Sequence, residues 1–393
     1  MKVTILGAGA IAGAHAQAIR ALAAHGGPAG VELTHVVDVD VDADRAAAFA
    51  AEHGVPHHGT DLQALLDAGE VDVVHVCTPP SVHLDAAVAA LRAGAHVVVE
   101  KPAVLSLAEA DALADAERQA VDAGLPGRFT QVVQHRFGAG IQRLRRFLDD
   151  GTLGPAYVAQ CDTLWFRTPE YFEVPWRGRF DTEGGGTTMG HGIHQFDLLL
   201  AVLGPWTEVR AMAGRLARHT DTEDVSTALV RFAGGTMATI TNSAISPRQT
   251  SRLRFDTEAA TVELEHLYGY DDTSWTVTPV AGREDVADAW AADAAAHEAS
   301  DGGASGHLAQ LVPTYLALAE GRTPPVTIAD TRATLELAAA IYKSAFTGAV
   351  VHAGEIVDGD PFHASMAGTG TPWPPVKDFA TDLLPHVATV ASR

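Results

Sequence analysis

Over residues 1–125, short continuous apolar runs alternate with amphipathic helical patterns, and no other feature narrows the fold so far. Strands are expected at Val3–Leu6, Leu33–Val37, Val71–Cys77 and His96–Glu100. Helices are expected at Ile11–His25, Asp42–His53, Asp61–Asp67, Ser81–Ala93 and Ser106–Ala123. Strands without polar alternation are buried on both faces, and helical crossovers between them impose a parallel sheet. Ser106 with Glu109 has capping-box spacing, and Gly54 and Gly94 close their helices.

The first strand runs into KVTILGAGAIAGAH, with Gly7 and Gly9 directly after it and Ala12 at the third small position of a GxGxxG/A turn. Gly7 allows the tight turn, and Gly9 lets the backbone approach a pyrophosphate. Ala10 and Ile11 then open the helix whose free N–H groups face the phosphate charge. Asp38 ends the second strand, somewhat beyond the usual interval of about 20 residues, and HGGPAG at 25–30 accounts for the excess. A carboxylate there accepts from a ribose diol and repels a 2′-phosphate, so NAD is expected and NADP is less favoured. Asp40, Asp42 and Asp44 read as caps or solvated turns.

The rhythm changes after residue 135. A helix at Ile141–Leu148, a strand at Tyr157–Trp165 and a helix at Gly190–Leu203 come first. Strands at Val209–Ala217, Val225–Phe232, Thr236–Asn242, Arg252–Asp256 and Thr261–Glu265 then imply a large, mostly antiparallel sheet. Helices at Leu308–Ala319 and Thr331–Thr347 close this part. Ala281–Gly306 reads as a mobile or partly helical excursion, and no fold is assigned after Pro361. The expected domains are a Rossmann unit over 1–128, an α+β unit over 129–365 for substrate and self-association, and a tail over 366–393.

With 27 Lys and Arg against 49 Asp and Glu, the formal net charge is −22, which excludes nucleic acid and anionic membranes as partners. Cys77 and Cys161 form no CxxC, and no apolar run has transmembrane length. The chain starts at once with a strand. A reducing cytoplasm is the expected compartment.

Three stretches, CTPPSVHLDAAVAALRAGAHVVVEKP at 77–102, GGGTTMGHGIHQFDLLL at 184–200 and TRATLELAAAIYKSAFTGAVV at 331–351, join the turn at residue 7 in order and spacing. Together they resemble the glucose–fructose oxidoreductase / inositol dehydrogenase (Gfo/Idh/MocA) family. The resemblance implies hydride transfer between nicotinamide and a sugar, sugar derivative or polyol, and a homodimer or homotetramer built through the second sheet. It makes Lys101 the active-site lysine, with Pro102 fixing its backbone through a cis bond, and His194 the catalytic histidine. Glu100 falls near the nicotinamide ribose, and Thr78, Pro79 and His83 line the cofactor turn. Gln134, His135, Arg136, Trp176 and Arg177 are candidates for the substrate side or for packing between domains, and Tyr342 is a candidate for reaching the cofactor.

One position departs from the family pattern. Many family dehydrogenases carry Asp four residues before the histidine, where this chain has Gly190. Either His191 takes part of that role, or another group such as Asp197 orients His194. HxxH with Asp197 has no third ligand at motif spacing, so no metal is expected. His57-His58 reads as a pair without function and Cys77 as a buried strand end. Two alternatives stay open: a redox-neutral NAD-dependent glycosidase, and a non-catalytic dinucleotide-binding sensor.

Overall fold

A computed structural model describes residues 1–38, 43–297 and 303–376. Asp40, Asp42 and most of the expected tail lie outside the described residues. The first unit contains β1 (Lys2–Leu6), β2 (Glu32–Val37), β3 (His57–Gly59), β4 (Val73–Val76), β5 (His96–Val99) and β6 (Phe129–Gln131). They form one sheet in the order β3-β2-β1-β4-β5-β6, with every pair parallel. The order reverses between β1 and β4, and open sheets of this kind bind ligands outside the carboxyl ends of the strands at that point. Val3, Ile5, Val73, Val74, Val97, Val98 and Val99 are fully buried, as continuous apolar strands require. β6 carries this sheet three residues beyond 128.

The helix after β1 runs over Ala10–Ala21 and tightens into a 3₁₀ turn at Ala23–His25, shorter than the continuous helix expected to His25. Gly26 and Gly27 end it, because a positive φ at Gly26 turns the chain so that the Gly27 N–H bonds back to the Leu22 carbonyl.

The second unit contains β7 (Ala156–Phe166), β8 (Trp206–Gly214), β9 (Val225–Phe232), β10 (Met237–Ser243), β11 (Ile245–Thr257), β12 (Ala260–His266), β13 (Trp275–Pro279) and β14 (Val351–His352). Their order is β13-β12-β11-β7-β10-β9-β8-β14, antiparallel except between β7 and β10. One face packs on the helices Ile193–Leu203 and Ile328–Thr347. On the other face Met212, Leu229 and Met237 are 78%, 58% and 55% exposed.

Two expectations are corrected, at 190–191 and after Pro361, and the partly helical reading of 281–306 is borne out. Gly190 and His191 do not open the α-helix: Thr188–Gly192 form a π turn, and the α-helix begins at Ile193. Within 281–306, Glu284–His297 is a regular helix that packs Trp290 on Phe147 and Trp275. After Pro361, a helical turn at Pro361–Ala364 follows, and Trp373 packs edge-on to Phe346 and donates its indole N–H to the Asp221 carbonyl. The helix His307–Ala319 crosses back to the first unit, where Leu311 and Tyr315 join the core under Ala12, Ala16 and Ile19.

Candidate functional site

The residues singled out from the sequence gather at the carboxyl edge of the parallel sheet. Gly7 follows β1 with φ +98, and a Cβ there would lie 2.8 Å from the Cys77 backbone, so only glycine fits where β1 and β4 turn away together. Gly9 differs: no atom lies within 4 Å of where its Cβ would be. It caps the helix Ala10–Ala21 with extended backbone; the Ala12 N–H bonds back to the Gly9 carbonyl at 3.1 Å, and no side chain caps the Ala10 and Ile11 N–H groups. Asp38 is buried at the end of β2, and its carboxylate accepts the Ala8 N–H at 2.8 Å, with Arg45 at 3.7 Å. Thr78 Oγ1 is buried without a partner at the head of the β4 turn. A small-residue cradle, free helical N–H groups, a carboxylate and an unpaired hydroxyl fit a dinucleotide.

The Lys101-Pro102 peptide is cis. Lys101 Nζ donates to the Gly190 carbonyl at 3.0 Å, linking the end of β5 to the π turn of the second unit. Burial holds its amine below the usual lysine range, and the nearby Arg177 and Arg167 charges add to this against the pull of Glu100 and Glu183. His83 is buried behind the β4 turn. Its ring lies between the carbonyl oxygens of Pro102 (2.9 Å) and Thr78 (2.8 Å), so it fastens the two turns together.

Glu100 is held by two histidines. One carboxylate oxygen lies 3.0 Å from His15 Nε2 and 3.1 Å from His307 Nε2, and the other accepts the Lys101 N–H. His15 Nδ1 meets His75 Nδ1 at 2.7 Å, and His75 Nε2 meets the Tyr315 hydroxyl at 2.7 Å. Burial holds both His15 and His75 below the usual histidine range. One proton per ring assigns the chain in a single direction. Tyr315 donates to His75, His75 to His15, and His15 to Glu100, which also accepts from His307. Among the described residues, His15, Glu100 and His307 are the grouping close enough to ligate a metal. Those same nitrogens already serve Glu100 as N–H donors in this assignment.

His194 is buried, and its Nε2 has no partner. Its ring packs 4.9 Å from His135 and edge-on to Tyr268, and burial with the Lys101 charge keeps it well below the usual histidine range. Lys101 and His194 line one tight cavity with Gln131, Val133, His135, Ile193 and Asp197. Asp197 is not bonded to His194. Arg136 clamps both of its oxygens at 2.7 Å, and Thr334 donates to one at 2.8 Å. Arg136 also reaches Asp330 at 3.0 Å, so it ties elements together beside the cavity and is not directed at a ligand. Gln134 donates to the Tyr268 hydroxyl at 3.2 Å. Tyr342 lies away from the cofactor turn: it donates to Glu223 at 2.8 Å and accepts the Gly186 N–H at 3.1 Å.

His191 is buried, with its Nε2 3.3 Å from the Tyr171 hydroxyl and its Nδ1 unpartnered. Burial and the charges of Arg167, Lys101 and Arg177 keep it neutral. A Cβ on Gly190 would stand 3.5 Å from Glu183 Oε1. Glu183 is buried, pairs with Arg177 at 3.2 Å and accepts the Gly178 N–H at 2.6 Å. A carboxylate from outside the helix thus stands beside position 190. Sequence spacing did not single out Glu183, because its approach depends on the fold of residues 178–190. Trp176 lies beneath the Arg177 guanidinium at 4.2 Å, and its carbonyl accepts from Thr182. Sequence reading also passed over Arg167, Trp165 and Tyr171, which surround His191.

A parallel sheet with a phosphate-binding turn, joined to a second domain by a lysine at the cleft, defines a two-domain dinucleotide-binding protein. Comparison with known families narrows the class. Residues 1–123 match the oxidoreductase family NAD-binding Rossmann fold, and residues 141–263 match the GFO/IDH/MocA C-terminal domain. The chain is 30% identical over 312 residues to UDP-N-acetylglucosamine 3-dehydrogenase of Acidithiobacillus ferrooxidans, which covers 77% of this chain and 87% of that protein. It is 33% identical over 176 residues to D-glucoside 3-dehydrogenase of Escherichia coli, 44% of this chain and 47% of the relative. With most of the curated relatives it matches, the chain spans about half of their length. The WlbA dehydrogenase of Bordetella pertussis, solved with NADH and UDP-GlcNAcA, has the same fold, with a TM-score of 0.76 at 24% identity over 89% of this chain and 98% of that one. This protein belongs to the Gfo/Idh/MocA family of NAD-binding oxidoreductases. No described helix is long and apolar enough to cross a membrane.

Proposed function

We propose that the protein is an NAD-dependent dehydrogenase or reductase acting on a CH–OH group of a sugar, sugar derivative or polyol. The observation that carries this reading is the pairing of Lys101 and His194 on one cavity at the sheet's carboxyl edge, with His194 Nε2 unpartnered. Residues 7–11 hold the pyrophosphate and Asp38 the adenosine ribose. When bound, the nicotinamide accepts or returns a hydride. In the oxidation direction, His194 takes the proton of the substrate hydroxyl as the carbinol C–H bond gives up its electron pair and the carbonyl forms. Its neutral ring is ready to accept that proton. Lys101 bonds the same oxygen. Burial lowers its basicity below the usual lysine range, which eases proton exchange with that oxygen. Glu183 supports the position where the family pattern has an aspartate.

The exposed face of the second sheet, with Met212, Leu229 and Met237, supports a homodimer or homotetramer. Two buried free cysteines agree with a reducing cytoplasm. The test is NADH formation from NAD⁺ across polyols, aldoses and glycosides, with Lys101→Met and His194→Ala beside the wild type. Loss of about 10²–10⁴-fold in kcat with NADH affinity retained is expected. Full turnover in either variant removes that residue from the mechanism.

A further inference from the structure

Near Lys101 and His191 stands a cluster of positive charge, in a chain whose formal net charge is −22. Arg177 lies with its Cζ 4.0 Å from the ring centre of Tyr171 and 4.2 Å from that of Trp176. Arg167 lies 4.7 Å from the ring centre of Trp165 and 5.3 Å from that of Tyr171. Two guanidinium groups therefore share one tyrosine, with an indole beyond each.

This cluster is continuous with the reacting end of the cavity. Tyr171 meets His191 at 3.3 Å, and Trp165 packs edge-on to His191 at 5.0 Å, one turn before His194. Arg177 pairs with Glu183 beside Gly190, and the Gly190 carbonyl accepts from Lys101.

The charges do not cancel. Glu183 is the carboxylate paired with Arg177. Arg167 donates to the Phe166 carbonyl at 3.1 Å and to Gln249 at 3.4 Å. Among the described residues, the Arg167 guanidinium and the Lys101 ammonium have no carboxylate oxygen within 4.0 Å; Lys101 Nζ is held by the Gly190 carbonyl. His191 and His194 are neutral and compensate nothing. Three cations, Lys101, Arg167 and Arg177, stand against two carboxylates, Glu100 and Glu183, and a negative group arriving between them relieves the remaining repulsion. An anion would otherwise be turned away by the acidic surface, and a local cationic patch reverses the field where it must enter. Planar guanidinium groups match the oxygens of a carboxylate or phosphate, and the flanking aromatic faces suit the C–H face of a sugar ring.

We propose that the substrate is an anionic carbohydrate, whose carboxylate or phosphate is taken by Arg167 and Arg177 while its carbinol faces Lys101 and His194. This rests on the oxidoreductase reading above.

Calorimetry on the full-length, NADH-loaded protein tests it with matched pairs. D-glucuronate and D-galacturonate are compared with their amides, and glucose 6-phosphate and UDP-N-acetylglucosamine with the unphosphorylated sugars. At least one anion is expected to bind more than about tenfold tighter than its neutral twin, with the advantage shrinking as salt rises. Whether the acids or the phosphates show it identifies the anionic group. Arg167→Met is expected to remove about ten- to a hundredfold of anion affinity and leave the neutral twin unchanged, with Arg167→Lys between them. Unchanged NADH affinity in both variants shows that the fold is intact. The proposal is overturned if no anion outbinds its twin, or if Arg167→Met weakens both members equally. NADH formation is read separately, on protein supplied with NAD⁺ in place of NADH. No turnover of any compound refutes the oxidoreductase reading, while the binding comparison still decides the anion.

Discussion

Restoring the aspartate of the family pattern, by Gly190→Asp, is expected to harm this protein. The Cβ itself is acceptable, because 3.5 Å from Glu183 Oε1 is ordinary contact and Gly190 has no positive φ. The new carboxylate is not acceptable. It would stand about 4 Å from the Glu183 carboxylate, where two like charges repel by about 4 kcal/mol at an effective dielectric constant near 20. The Arg177 pairing with Glu183 offsets part of this. We expect Gly190→Asp to lose about 2–3 kcal/mol of unfolding free energy at neutral pH relative to Gly190→Asn, which has the same shape without the charge. Protonation of one carboxyl relieves the repulsion, so the gap between Asp and Asn should shrink as pH falls. The assay is urea unfolding of Gly190→Asp and Gly190→Asn in the wild-type and Glu183→Gln backgrounds, read as a double-mutant cycle. Equal stability of the Asp and Asn variants beside an intact Glu183 would refute the argument that the two positions share one carboxylate's space.

Three further outcomes can be checked directly. Gly9→Val should leave thermal stability within about 0.5 kcal/mol of wild type, since nothing lies near its Cβ, yet weaken NADH binding more than about tenfold; Gly7→Ala should instead unfold readily, and a stable Gly7→Ala protein would contradict the turn geometry. Burial raises the Glu223 carboxyl from 4.5 to about 7, so its contribution to stability is fully present below 4.5 and lost as pH rises through 7; wild type should lose about 3 kcal/mol relative to Glu223→Gln across that window, and parallel stability curves for the two would exclude it. His75→Phe leaves the Tyr315 hydroxyl and His15 Nδ1 buried without partners and should cost about 2–5 kcal/mol in urea unfolding; a cost under about 1 kcal/mol would mean the histidine chain is not a connected network.

Local chemistry alone determined the first unit. Continuous valine runs, the glycine turn at 7–9 and the Ser106 cap each admit few conformations, so strands, helices and the phosphate cradle were legible residue by residue. Strand limits in the second unit were less legible: β11 runs over Ile245–Thr257 where Arg252–Asp256 was expected, because neighbouring strands extend the pairing beyond its own apolar alternation. β6, at three residues, is too short to announce itself, and β13 alternates buried and exposed positions without a continuous apolar run; both form by adding to sheets already present. At the site, motif positions brought Lys101 and His194 to one cavity, but partners came from elsewhere in the chain. Glu100 turned to His15 and His307, Asp197 to Arg136, and Tyr342 to Glu223. Glu183 and Arg167 reached the cavity through the path of residues 165–190. A buried charge or ring nitrogen must find a partner wherever the packed chain offers one, and sequence distance carries no record of that choice. Sequence by itself thus determined the backbone's local forms and the residues able to do chemistry; only tertiary structure decided which of them meet, because that depends on which polar atoms are shut away from water together.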